Sequence, residues 1–274
     1  MIRVDAHHHV WQLDRGDYPW LEPRMSIYHD YTIEDLRPQL GGIDGTVLIQ
    51  AAPTEAETEF LLETARNSRN LVRGVVGWTD LAAPDAPKRI EQMAKDPLLK
   101  GLRPMLTDIE DTYWILRDPV KPALHAMAEC GLCFDALIEP RHLPMMTVFG
   151  NLHPKLKIVI DHAAKPPIAT GQMHPWAGDM TRIAQETNIH CKFSGLATQA
   201  GLMWQMNHLR PWVEHLFKSF GPSRLMWGSD WPVCELAITY ERWHTISERF
   251  LFFFRIPDRD EIMCDTAVRF YGLR

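Results

Sequence analysis

Three consecutive histidines, His7, His8 and His9, sit in an apolar stretch near the N-terminus, residues 2–11 (IRVDAHHHVW), that reads as a β-strand. Strand side chains alternate between faces, which sets Asp5, His7 and His9 on one side and Val4, Ala6 and His8 on the other. Two imidazoles two residues apart on one face can hold a metal ion or polarise one oxygen together. A purification tag would follow a linker, whereas this run follows the start of a strand. Further along, Asp161-His162 closes one apolar run and Lys165 follows it, Lys192 and Ser194 belong to a second, and Ser229-Asp230-Trp231-Pro232 ends a third. Histidines and one carboxylate converging on one place can activate a water and polarise a carbonyl, which is what hydrolysis at an acyl centre needs. Asp230 is the natural base of such a set. The structural alternatives are a turn or capping aspartate for Asp230 and a backbone-bonded core histidine for His162.

Convergence requires elements that aim these residues at one mouth. Short, β-branched, buried runs occupy residues 45–51, 71–78, 100–105, 132–138, 156–161, 189–194 and 225–230, after the first at 2–11. Helical patterns separate and follow them at 32–40, 55–67, 84–95, 119–129, 140–150, 175–187, 203–220, 240–254 and 258–271. Thr32 is a plausible N-cap, and Gly41-Gly42 stops the helix it opens. Strands alternating with helices indicate a parallel sheet. Eight such units in 274 residues, with no linker or low-complexity tract, predict α/β architecture as a single (β/α)8 barrel of the TIM type spanning residues 1–274. An open dinucleotide-binding sheet lacks its glycine fingerprint after the first strand. In a closed barrel of this kind the active site lies at the C-terminal ends of the strands, where His7, His9, His162, Lys165, Lys192, Ser194 and Asp230 fall.

Net charge of −6 and a pI near 6.1 exclude a bulk basic field for nucleic acid or acidic lipid. No apolar run approaches the ~20 residues that span a bilayer, and no secretory signal precedes the first strand, so a cytoplasmic setting is expected. Five cysteines are an odd number in a long chain and read as reduced thiols. Cys130 and Cys133 form a C-x-x-C, but with no second pair and no thioredoxin-like context it reads as structural.

The quoted stretches resemble the amidohydrolase superfamily, and within it the branch of sugar-acid lactonases and related lactone hydrolases. The likeness rests on DAHHHVW at 5–11, DYPWL at 17–21, VVGWTDL at 75–81, KGLRPML at 100–106, CFDALIEPRHLP at 133–144, IDHAAKPPI at 160–168, KFSGL at 192–196 and RLMWGSDWPV at 224–233. It implies hydrolysis of a small-molecule lactone, with His7, His9, His162 and Asp230 as catalytic residues. The same four positions are metal ligands where a divalent metal, zinc foremost, is bound; some members work without one. Arg103, Trp78, Lys165, Arg141, Trp11 and Trp20 are the candidates to ring the substrate, cations for an acid group and aromatics for a sugar face. Lys192 invites a role as a carboxylated metal bridge but reads better as an ordinary charged strand-end group. Pro104 stands where relatives often have His, and Glu139 where a basic residue is frequent, which argues against a highly anionic substrate. A zinc-dependent non-oxidative decarboxylase of the same superfamily is the competing enzyme, and a non-catalytic sugar-acid binding barrel the third reading. The sequence leaves the number of assembled chains open.

Overall fold

The computed structural model describes residues 3–201 and 203–273; Ile2, at the start of the expected first strand, lies outside them. Eight strands run β1 (Val4–His8), β2 (Gly45–Ile49), β3 (Val72–Gly77), β4 (Leu99–Leu102), β5 (Cys133–Ala136), β6 (Lys157–Ile160), β7 (His190–Phe193) and β8 (Leu225–Trp227). They pair in sequence order, every ladder parallel. The seam between β8 and β1 is closed just past the end of β8. There Asp230 N donates to His7 O at 2.8 Å, His9 N donates to Trp231 O at 2.7 Å, and His8 bridges to Trp231. The chain is therefore a (β/α)8 barrel, as the alternation of patterns predicts.

The helices are α1 (Ile33–Leu36), α2 (Glu55–Asn67), α3 (Ala86–Met93), α4 (Lys121–Glu129), α5 (Leu143–Leu152), α6 (Trp176–Glu186), α7 (Met206–Phe220), α8 (Tyr240–Leu251), α9 (Ile256–Asp260) and α10 (Thr266–Tyr271). Thr32 does cap α1, in a reciprocal box with Asp35, but the helix tightens into a 3-10 turn at Arg37–Gln39. Pro38 has no N–H to continue an α-ladder. The helix expected at 258–271 is broken: a π turn at Glu261–Asp265 separates α9 from α10. That turn lets α10 swing beneath the barrel. Its Ala267, Phe270 and Tyr271 pack with Val4, Ala6, Val47, Ile49, Val76, Val159 and Met226, one apolar cluster that fills the lower barrel and seals its floor.

The first strand departs from simple alternation. Val4 and Ala6 pack into that lower cluster, while Asp5 turns to β8, its Oδ1 accepting from Ser229 N at 2.9 Å and His7 N at 3.1 Å. The β1–β2 register then shifts between Asp5 and His8. The extra residue resets the phase, a bulge. Asp5 is thereby separated from His7 and His9, and His8 is left facing Thr46, with Nε2 to Oγ1 at 2.9 Å.

Candidate active site

Both halves of the site rest on backbone that L-residues rarely adopt. Four successive residues after β6, His162, Ala163, Ala164 and Lys165, have φ of 51°, 52°, 59° and 49°, and Asp230 after β8 has φ 59°. Left-handed non-glycine residues cost roughly 1–3 kcal/mol each and persist only where their surroundings fix them, most often at functional sites. Here the fixing contacts are visible. Lys165 N donates to His162 O at 2.9 Å, and Asp230 N is tied to His7 O across the seam. Gly195, at φ 61°, lies flat against the His162 ring, where a Cβ would come within 2.6 Å of Nδ1.

These turns bring His162 and Asp230 against the bulged end of β1. Asp230 Oδ1 lies 3.5 Å from His9 Nε2, 3.6 Å from His162 Nε2 and 3.8 Å from His7 Nε2. His7 Nε2 and His9 Nε2 are 3.2 Å apart. His9 Nδ1 donates to Ile49 O at 2.8 Å, so neutral His9 presents a lone pair at Nε2. His162 Nδ1 pairs with Ser194 Oγ at 2.9 Å. Burial lowers the pKa of all three imidazoles: His7 falls well below the usual value, His9 falls below it, and His162 reaches about 4. All three are neutral near pH 7. Burial alone would raise Asp230, but His162, His9 and Arg103 outweigh it and hold the carboxyl below its ordinary range. The centre is thus a charged carboxylate among neutral imidazoles.

Beneath it lies a second set of charges, all fully buried. Lys192 Nζ donates to Asp135 Oδ2 at 2.5 Å, contacts Asp161 Oδ1 at 3.0 Å, and reaches His7 Nδ1 at 3.0 Å. Tyr271 OH, rising from α10, donates to the same Asp135 oxygen at 2.6 Å. Asp161 Oδ2 accepts from Arg103 Nη1 at 3.2 Å. Burial favours protonated Asp161, but Lys192, His7 and Arg103 prevail and depress it well below the usual range. Lys192 is therefore a core residue and not an ordinary strand-end charge. Carboxylation would place a new anion against Asp135 and Asp161, so the bridging role does not suit it either.

Above the centre opens a cavity of about 390 Å³ lined by His9, His162, Asp230, Arg103, Lys165 and Trp20, with Met105, Thr107, Thr198 and Gln199 among its other walls. Trp20 is anchored there by its Nε1, which donates to Ala51 O at 2.7 Å. Arg103 is held rigidly, its guanidinium donating to Gln50 O as well as to Asp161. The other three candidates stand outside. Trp11 is buried between Tyr18, Trp20 and Tyr31. Trp78 is half-buried, and its backbone is clasped by the Thr58 hydroxyl. Arg141 staples the loop after β4 through the carbonyls of Thr107, Ile109 and Glu110, and Glu139 caps the 3-10 turn that leads into α5. Thr107, Thr198 and Gln199 were not legible as lining residues, because short polar side chains in loops carry no distinguishing pattern. Cys133 is buried, its thiol pushed up to about 12 by that burial, as befits a structural cysteine.

Two overlapping trios could hold a cation among the described residues: His7, His9 and Asp230, and His7, Asp161 and His162. Tetrahedral zinc with ligands at 2.0–2.2 Å places its donor atoms about 3.3 Å apart. The separations of 3.2, 3.5 and 3.8 Å in the first trio fit that requirement. His162 belongs to the second trio, so the four residues do not form one set.

The amidohydrolase family model matches residues 4–273. The chain belongs to this family. Among its relatives is an L-fucono-1,5-lactonase of Burkholderia ambifaria, 43% identical, the match covering 99% of this chain and 96% of that protein. Another L-fucono-1,5-lactonase, from Burkholderia multivorans, is 31% identical over the same shares. A Burkholderia multivorans amidohydrolase solved with bound HEPES, and in another crystal form with bound zinc, superposes with a TM-score of 0.94 at 30% identity, each chain fully covered. Within this amidohydrolase no helix among the described residues is long and apolar enough to cross a membrane.

Proposed function

We propose that this amidohydrolase opens the ring of sugar-acid lactones, L-fucono-1,5-lactone and its stereochemical kin first among them, with Asp230 as the base. The observation that carries the reading is one carboxylate oxygen 3.5–3.8 Å from three imidazole nitrogens at the foot of a cavity. Those gaps are too long for direct hydrogen bonds but suit a single small oxygen held between the groups. The lactone carbonyl enters beside His7, His9 and His162, and the buried Arg103 adds positive field where the oxyanion develops. Asp230, ionised at neutral pH, takes a proton from the attacking water. It then returns that proton to the ring oxygen as the acyl–oxygen bond breaks. Lys165, Thr107, Thr198 and Gln199 meet the ring hydroxyls, and Trp20 offers an apolar face. His7, His9 and Asp230 would hold a divalent cation, zinc by the preference of that ion for imidazole with carboxylate, and it would supply Lewis-acid polarisation of the carbonyl.

The decarboxylase alternative shares the His and Asp set, but the relatives at 43% and 31% identity are lactonases. A pH-indicator assay over a panel of sugar lactones, with and without chelator, tests the reading. Proton release with L-fucono-1,5-lactone is the expected result. Silence across the sugar lactones, or carbon dioxide release from aromatic acids, overturns it. Turnover that survives chelation assigns carbonyl polarisation to the protein's own donors.

A further inference from the structure

We infer that Arg141 is a positioning residue: without reaching the substrate, its guanidinium fixes the loop at 105–112, which carries Met105, Thr107 and Asp108 into the cavity wall, and so sets substrate affinity. The effect on affinity rests on the lactonase reading above; the hold on the loop does not.

The loop follows β4, and its own regular structure is one 3-10 turn, Leu106–Asp108. That turn satisfies only part of the backbone. Asp108 N donates to Met105 O at 3.0 Å and Ile109 N to Leu106 O at 3.3 Å. No backbone N–H among the described residues donates to the carbonyls of Thr107, Ile109 or Glu110. All three accept from Arg141 instead. Nη2 donates to Thr107 O at 3.3 Å and to Ile109 O at 3.0 Å, and Nη1 donates to Glu110 O at 3.3 Å.

A guanidinium has five N–H donors in a rigid fork and no acceptor. Here each of them has a partner. Besides the three carbonyls, Nη1 donates to Thr112 Oγ1 at 2.8 Å, and Nε donates to Glu139 Oε2 at 3.3 Å. Glu139 in turn caps the 3-10 turn that leads into α5, so the fork is braced against the segment that follows β5. No donor is left for a ligand. What meets the ligand is what the fork holds: Met105, Thr107 and Asp108 line the cavity. Thr107 Oγ1 donates to Asp108 Oδ1 at 3.0 Å, and the remaining lone pairs of that carboxylate can accept from the hydroxyl groups of a sugar ring. Without the fork the three carbonyls would turn to water, and each substrate would have to order the wall as it bound, a cost that appears in affinity. Asp230 is held separately, by its bond across the β8–β1 seam to His7 O, so the chemical step keeps its geometry.

Arg141→Met and Arg141→Lys test the proposal. The side chain is partly exposed, and both variants are expected to fold. Methionine removes every donor. Lysine keeps the charge but not the fork, which separates stapling of the loop from a charge acting at a distance. Hydrogen exchange read by mass spectrometry comes first, on protein free of substrate. Peptides spanning 105–112 are expected to lose protection in both variants, while those of β1 and β8 keep theirs. Unchanged protection over 105–112 overturns the proposal, whatever substrate the enzyme takes, and so does a loss spread evenly over the barrel. In the same variants KM for L-fucono-1,5-lactone is expected to rise about tenfold with kcat within about twofold of the wild type, the pattern of lost uniform binding. A wild-type KM in either variant, or a fall in kcat with KM unmoved, overturns it as well. Silence of the wild-type enzyme on sugar lactones, beside a selective loss of protection in the variants, would sink the substrate and leave the hold on the loop standing.

Discussion

The mouth of the barrel and the layer just beneath it hold similar residues and do opposite things with them. In the upper layer Asp230, His9 and His162 keep gaps of 3.5–3.6 Å and face a cavity. Beneath, Asp135, Asp161 and Lys192 close to 2.5–3.0 Å and see no solvent at all. Spacing, more than residue type, separates a group that can receive a substrate from one that can only hold its neighbours. The upper layer has room left for an oxygen, and the lower layer has spent its donors on the protein.

Substitution in each layer should separate turnover from stability. Asp230→Asn is expected to lower kcat about 10³-fold, within the span of general acid–base effects, with an unchanged thermal midpoint. Asp135→Leu, by contrast, strips Lys192 and Tyr271 of their shared acceptor. It should cost about 3–5 kcal/mol of unfolding free energy in denaturant titration, the usual result of breaking a buried pair. Near-normal turnover in the first, or undiminished stability in the second, would erase the distinction. Gly195→Ala probes the support of the upper layer. Its Cβ would strike the His162 ring, and its φ of 61° suits glycine. A loss of about 1–3 kcal/mol together with roughly tenfold slower turnover is expected, showing that His162 depends on its bed as well as on its chemistry.

The smallest effect comes from a carboxyl outside both layers. Glu57 accepts from Tyr18 OH and Ala51 N beside the cavity wall, and burial raises it from 4.5 to about 7. Between those values the folded protein keeps a proton that the unfolded chain has released, so this group makes stability decline as pH climbs through that window. Glu57→Gln should flatten the decline in thermal midpoint between pH 5 and 8, leaving the part due to Asp5, which burial raises to about 6. An unaltered slope would place Glu57 outside the linkage.

Much of the upper layer was legible from the chain alone. Buried parallel strands read as short β-branched runs, and in a closed barrel their ends converge, so His7, His9, His162 and Asp230 could be brought together before any coordinates. The phase of β1 could not, because alternation carries no sign of the bulge that separates Asp5 from His7. The lower layer was illegible for a different reason: a charge acquires its meaning from a partner remote in sequence. Lys192 and Asp135 are 57 positions apart. The available clue was local, one acidic residue inside the apolar run CFDALI, where an unpaired carboxylate would be intolerable. Trp11, Trp78 and Arg141 have the residue types of a binding rim, yet packing and loop-stapling claim them, which composition cannot foretell.

The seam between β8 and β1 has a further consequence. His7 and His9 belong to the first strand and Asp230 follows the eighth, and they become neighbours only when the ring of strands is joined. Chemical competence and topological completion are then a single event. A nascent chain would remain inert until β8 and Asp230 had emerged and docked, and the return of turnover during renaturation would date the moment the circle shuts.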